Sequence, residues 1–202
     1  KPLALVPLLL WSIAYRWSFP NPLPESYSLH AWMAPGQNWG RAFGLTLAIA
    51  ALTTLAALVL AVAWLEGEDR GRLPRAGWAE ALIYLPLMLP QIGFLYGLNV
   101  LFLRLGLSGG LAAVVWAQSL FVFPYVMIAL SDPWRALDPG LIRSAASLGA
   151  GPGRRLWSVK LPVLLRPILT AAAIGFAVSV AQYLPTLVMG AGRIATLTTE
   201  AV

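Results

Sequence analysis

The sequence lacks cysteine, contains one histidine, His30, and has few charges, since only 11% of its 202 residues are Asp, Glu, Lys or Arg. Without cysteine this chain can form no disulfide, thiol nucleophile or cysteine-bound metal, and one histidine cannot make a histidine metal cluster. It also has no phosphate-binding loop of the form G-x-x-x-x-G-K-[ST]. We therefore expect no catalytic residue, no metal site and no cofactor, and we expect that the chain is not an enzyme.

Long apolar stretches take the place of the missing charges, and hydrophobic residues make up 59% of the sequence. A membrane-spanning helix needs about 20 mostly apolar residues. Uncharged runs that approach or exceed this length are 2–15, 42–65, 81–103, 105–131 and 167–192. Strands of a membrane barrel would instead alternate over about 10 residues. The pattern predicts an all-α integral membrane protein with about five transmembrane helices, embedded in the lipid bilayer.

The basic residues lie between these runs and predict the orientation. The loops after the second and fourth runs carry Arg70, Arg72, Arg75, Arg135, Arg143, Arg154, Arg155 and Lys160. The opposite side has only Arg16, Arg41, Arg104 and Arg193. Because basic loops stay inside, the richer side should be cytoplasmic and the segment 17–40 external. The net charge of +6 is thereby explained by topology, and we expect no nucleic acid partner.

The cytoplasmic loop, residues 132–162, has the signals of two short helices. Asp138 followed by Pro139 is a capping residue and a first helical position. Gly149 is well placed to end this helix, and Pro152 can begin a second one that leads to Leu161-Pro162. Apolar residues on one face of the first helix are Leu141, Ile142, Ala145 and Leu148. Two short helices that meet at a glycine-rich corner are suited to docking against a soluble protein. The composition equally allows an amphipathic loop that lies on anionic headgroups.

The loop resembles the cytoplasmic loop of permease subunits of binding-protein-dependent, type I ABC importers. In that family the pattern is E-A-A, three residues, G, nine residues, I, one residue, L-P. Gly149 matches the glycine, and Val159 and Leu161-Pro162 follow at the family spacing. Arg143-Ser144-Ala145 stands where the family has E-A-A, so Arg143 reverses the charge of the family's acidic residue. The resemblance assigns coupling to the ATPase to Arg143, Ser144, Ala145, Gly149, Ala150, Gly151, Val159, Leu161 and Pro162.

By this resemblance, residues 1–202 form one transmembrane permease domain, one half of a longer and fused permease whose sixth helix is truncated. The chain is most similar to the fused thiamine and ferric-iron permeases, and its tail to a thiamine-like branch. The resemblance implies cytoplasmic ABC ATPase subunits, a second permease half and an extracytoplasmic solute-binding protein as partners, in the bacterial inner membrane. It implies no assigned solute.

Polar residues within the apolar runs are candidates to line a solute path, since such residues usually face a bundle interior or a water-filled cavity. The candidates are Asn99, Gln118, Ser179, Gln182 and Tyr183, with Gln91 and Ser119 as weaker ones. The competing interpretation for each is an interhelical hydrogen bond. Gln182-Tyr183 is the best pair, because Pro185 lies close by.

Two further functions remain open at this point. A secondary transporter without an ATPase would need charged residues in the middle of its spans, and these runs have none there. A structural membrane subunit would have a cytoplasmic loop that binds no ATPase.

Overall fold

The computed structural model describes residues 6–18, 21–28, 39–71, 73 and 77–200, with side chains from residue 10 onward. The chain divides into two units, Lys1–Trp39 and Gly40–Val202. In the first, helix α1 (Val6–Ile13) leads into strands β1 (Ala14–Arg16) and β2 (Ser26–Tyr27). The strands pair antiparallel, with Ala14 opposite Tyr27.

The described part of this first unit contains a short helix where the sequence predicts the first span. Its helix has eight residues, about 12 Å, against a hydrocarbon core of about 30 Å. The chain then turns into β1 instead of continuing as a helix, and residues 1–5 lie outside the described part. The expected external segment 17–40 is described only in part, and His30 and Trp32 are outside it.

The second unit is helical. Its long elements are α2 (Trp39–Asp69), α3 (Gly77–Met88), α4 (Gln91–Arg104), α5 (Leu111–Arg135) and α9 (Leu165–Ala181). The shorter ones are α6 (Pro139–Ser147), α7 (Pro152–Arg155), a π-helical turn (Leu156–Lys160), α8 (Leu161–Val163), α10 (Leu184–Gly190) and α11 (Leu197–Glu200). The all-α membrane fold expected from the sequence is confirmed.

Two of these helices, α2 and α5, are each long and apolar enough to cross a membrane. The number rises to four in the described part of the chain if two bent pairs each count as one span. One pair is α3 with α4, bent by 101°, and the other is Pro152–Val163 with α9, bent by 76°. The four apolar runs after the first are therefore helical as predicted, but only two of them are continuous.

Contacts along α5 show that α3 and α4 together connect its two ends. Glu80 of α3 accepts a hydrogen bond from Arg135 at 2.7 Å. Phe102 of α4 lies 5.3 Å, centroid to centroid, from Trp116. Since Trp116 and Arg135 are 19 positions apart on one helix, these contacts are about 28 Å apart. The bent pair is thus a broken span.

The helices pack through small residues along a core centred on α5. Gly175 of α9 is one such close approach between helices: a methyl group added to it would lie 3.0 Å from Val126 and 3.3 Å from Thr54. Fully buried alanines of α2, including Ala57 and Ala61, face the same core. Small side chains permit this close packing in a membrane, as the sequence suggested.

Candidate functional site

Two helix breaks that fall inside the apolar runs 81–103 and 167–192 occur at prolines. Helix α4 begins directly after Pro90, whose ring disfavours a helical conformation for Leu89 before it. Between α9 and α10, Gln182 adopts an extended backbone (φ −77°, ψ 105°). Pro185 has no N–H to donate to the carbonyl of Ala181 and its ring would clash with that carbonyl, so α9 ends there.

Both breaks line one cavity of about 540 Å³, which is the size of a small-molecule site. Irregular backbone at membrane depth is tolerated where it is buried in protein or lines a cavity. Around this cavity are Pro86, Leu87, Leu89, Gln91, Phe121, Tyr125, Val178, Ala181, Gln182, Tyr183 and Leu184. Because Phe121 lies near the middle of α5, the cavity is near mid-depth in the bundle.

Among the described residues, the polar groups of this cavity are all uncharged. They are Gln91, Tyr125, Gln182 and Tyr183. The side-chain oxygen of Gln182 is buried and has no hydrogen-bond partner in the described chain. The predicted pair Gln182-Tyr183 and the weaker candidate Gln91 therefore lie together at the two breaks. Their contact with a solute stays a prediction.

The candidates Gln118 and Ser179 lie beside the cavity, in a buried network that ties α5, α9 and α10 together. Ser179 Oγ donates to Gln118 Oε1 at 2.5 Å. Gln118 Nε2 donates to Thr186 Oγ1 at 2.8 Å, and these three side chains are at most 3% exposed. In this structure they make the interhelical hydrogen bonds that were the competing interpretation. Asn99 is half-buried two turns along α4 from Gln91, and the residues around the cavity do not include it.

The first half of the loop 132–162 has the capped helix that its sequence predicts. Asp138 accepts a hydrogen bond from the N–H of Gly140 at 2.7 Å, and Pro139 follows as the first helical residue. At the other end Gly149 has φ +79°. Its N–H donates to Ala146 and the N–H of Ala150 donates to Ala145, both at 3.0 Å. This is a Schellman motif, which requires a left-handed residue at position 149.

The second half of the loop is one helical stretch, Pro152–Val163, with a π-helical turn inside it. Gly151 caps its start in an extended conformation. The turn ends where Leu161 donates to the carbonyl of Leu156, five residues back. Pro162 has no N–H for the normal bond, which explains the wider turn at this place. Val159 and Leu161 are half-buried, while Arg143, Ser144, Gly149 and Pro162 are exposed.

Lys160 fixes this second half to the end of α2. Its ammonium donates to Glu66 at 2.5 Å and to Asp69 at 2.7 Å, and only 6% of its side chain is exposed. The same ammonium lies 5.3 Å from the centre of the Trp134 ring, whose N–H donates to Asp69 at 3.0 Å. Buried charges persist only when paired in this way. We call Glu66, Asp69, Trp134 and Lys160 the loop anchor.

Beside the anchor, Arg135 at the end of α5 pairs with Glu68 at 3.2 Å and with Glu80 at 2.7 Å. Sequence reasoning missed both sets of ion pairs, because it treated Lys160 and Arg135 only as topology signals. It also ended the second span at Leu65, whereas α2 continues to Asp69. The available signal was the spacing of Glu66, Asp69 and Arg70, which share one helical face at i, i+3 and i+4.

The comparisons with known proteins agree with the fold. A family model described as "Binding-protein-dependent transport system inner membrane component" matches residues 70–202. The inner membrane ABC transporter permease protein YnjC of Escherichia coli is 42% identical over 158 residues, which are 78% of this chain and 29% of that protein. The molybdenum transport permease ModB of Mycobacterium bovis is 34% identical over 163 residues, 74% of this chain and 61% of ModB.

A third relative aligns along nearly the whole chain. The putative 2-aminoethylphosphonate permease PhnV of Salmonella typhimurium is 25% identical over 191 residues, 93% of this chain and 71% of PhnV. The chain thus spans under a third of YnjC and about three fifths of ModB. All three names describe transport permeases. The chain therefore belongs to the binding-protein-dependent transport inner membrane components, with the all-α permease fold of type I ABC importers, and it is a multi-pass protein of the inner membrane.

Proposed function

We propose that the protein forms half of the solute path of an ABC importer and couples that path to a cytoplasmic ATPase through the loop 132–162. The observation that most directly supports this proposal is the cavity at which two spans, each interrupted at a proline, meet. A break in a span supplies a hinge and frees backbone groups at membrane depth. One cavity lined by two such breaks is suited to open and close around a solute.

The coupling part of the proposal rests on how the loop is attached. Because the loop anchor joins Lys160 to the end of α2, a push on the loop moves that span as well. The apolar side chains of Leu148 and Trp157 are 87% and 72% exposed on the loop. Exposed apolar side chains on a rigid element are typical of a protein-binding surface. In this proposal the partner ATPase hydrolyses ATP. Its nucleotide cycle would shift the path between an inward-facing and an outward-facing state.

The remaining partners in the proposal are a second permease half and an extracytoplasmic solute-binding protein. The solute-binding protein is supported by the family's printed description as binding-protein-dependent, and the second permease half stays a prediction. The relatives' names point to chemically different solutes, including molybdenum, sulfate and spermidine or putrescine. They do not converge on one solute, and we assign none. Residues 1–202 as one half of a fused permease, and the thiamine-like branch, stay predictions.

The proposal is tested by asking whether an ABC ATPase copurifies with the full-length protein. Gly149→Trp should abolish the copurification, since it places a large side chain at the corner of the loop. Gly106→Trp is the matched control: Gly106 also has a positive φ (+68°) and open space at its Cβ, but lies at the opposite end of α5. An ATPase that stays bound to the Gly149 variant, or an absent ATPase, would contradict the coupling role.

The solute path has a separate test. Replacing Gln182 and Tyr183 together by alanine should lower uptake at least tenfold while leaving the assembled protein in the membrane. Replacing Asn99 by alanine is the comparison, because it lies in a span but not around the cavity. Normal uptake by the double variant would remove this cavity from the path.

A further inference from the structure

A second cavity, of about 630 Å³, lies between the cytoplasmic loop and the ends of α2 and α5. Its walls include the anchor residues and the loop residues Arg143 and Arg155. We call it the loop cleft. It is separate from the cavity at the two helix breaks. Trp134 and Arg135 lie at the C-terminal end of α5, whereas Phe121, which lines the other cavity, lies near the middle of that helix.

The cleft has an excess of positive charge after internal pairing. Glu66 is neutralised by Arg70 and Lys160, and Asp69 also pairs with Lys160. Within the described part of the chain, Arg143 and Arg155 make no ion pair. The Nε of Arg155 is moreover buried and donates no hydrogen bond there. A guanidinium in this state lacks the bidentate carboxylate or phosphate partner that matches its geometry.

The surroundings of the two arginines favour a protein partner. Both lie on the helices of a loop that also exposes Leu148 and Trp157. Arginine and tryptophan on a rigid surface are enriched in the energetic centres of protein interfaces. Arg154 and Arg166 are exposed and are not among the residues that line the loop cleft. Resting on the proposed function, we propose that an acidic side chain of the ATPase subunit enters the loop cleft and pairs with Arg143 and Arg155.

The test measures binding of the ATPase to the full-length protein in nanodiscs. The ATPase that copurifies with the unmutated protein is identified, purified and titrated against each variant. Arg143→Glu with Arg155→Glu should weaken binding about 30-fold or more, as expected when a buried charge pair becomes a repulsion. The milder pair Arg143→Gln with Arg155→Gln should weaken it in the same direction and keeps the test valid if the reversed variant fails to fold.

The control is Arg154→Glu with Arg166→Glu, which makes the same change of charge on exposed residues and should alter binding by less than about threefold. One Asp or Glu of the ATPase, changed to Lys, should then restore binding to the Arg143/Arg155 glutamate variant. The inference is overturned if both arginine pairs weaken binding equally, or if the cleft variants lose only bound anionic phospholipid. If those variants bind normally while Gly149→Trp does not, the cleft inference fails and the proposed function stands.

Discussion

Removing the charge of Lys160 should destabilise the protein strongly, because this lysine holds two carboxylates at the base of the loop. In Lys160→Met, Glu66 keeps Arg70 at 2.8 Å and Asp69 keeps the Trp134 N–H at 3.0 Å. Breaking a buried ion pair costs about 3–5 kcal/mol. Because both carboxylates retain at least one partner, we expect the lower end, about 3 kcal/mol. For a domain of this size that lowers the melting temperature by roughly 6–12 °C.

The assay is thermal unfolding of the purified full-length protein in detergent. Arg154→Met is the matched control, since Arg154 is an exposed basic residue of the same loop and should shift the melting temperature little. Lys160→Met combined with Glu66→Gln and Asp69→Asn should recover part of the loss, because no unpaired buried charge is left. Equal melting temperatures for Lys160→Met and Arg154→Met would refute the anchor.

Two glycines give further predictions. Gly149→Ala should weaken ATPase binding about 5–30-fold, because a left-handed conformation costs a residue with a Cβ about 1–2 kcal/mol; Gly153→Ala, a loop position with no positive φ and open space at its Cβ, should bind normally in the same titration. Gly175→Leu should abolish the folded, monodisperse protein on size-exclusion chromatography, because a Cβ added at this position would already lie 3.0 Å from Val126. Gly97→Leu, with nothing within 4 Å, should elute normally, and an unchanged Gly175 variant would contradict the close helix packing.

Local chemistry made the loop predictable from sequence. An Asp-Pro pair and a glycine fix the start and the end of its first helix through neighbouring backbone groups, and both ends are confirmed. The π-helical turn before Pro162 was not predicted, because it depends on which carbonyl accepts the hydrogen bond from the N–H of Leu161. The prolines at 90 and 185 indicated kinks. That the two breaks meet in one cavity depends on the packing of α3, α4, α9 and α10 around α5, which no local signal encodes.

The loop anchor was not predicted because its residues are far apart in the sequence. Lys160 and Glu66 are 94 positions apart, and a basic residue in a loop already had a sufficient explanation in the membrane topology. Continuous hydrophobicity likewise predicted spans without showing which of them are continuous helices. The third and last apolar runs, 81–103 and 167–192, read as single helices in sequence, since a proline inside a span only tends to kink it.

The coupling role of the loop is tested most directly by cross-linking. The 202-residue chain has no cysteine, so single cysteines can be placed in it at will. Leu148→Cys, at the exposed tip of the loop, should form a cross-link to the ABC ATPase in membranes containing the full-length transporter. Leu107→Cys, 57% exposed at the other end of α5, should form none. Cross-linking from position 107, or from neither position, would contradict the assignment of this loop as the contact with an ATPase.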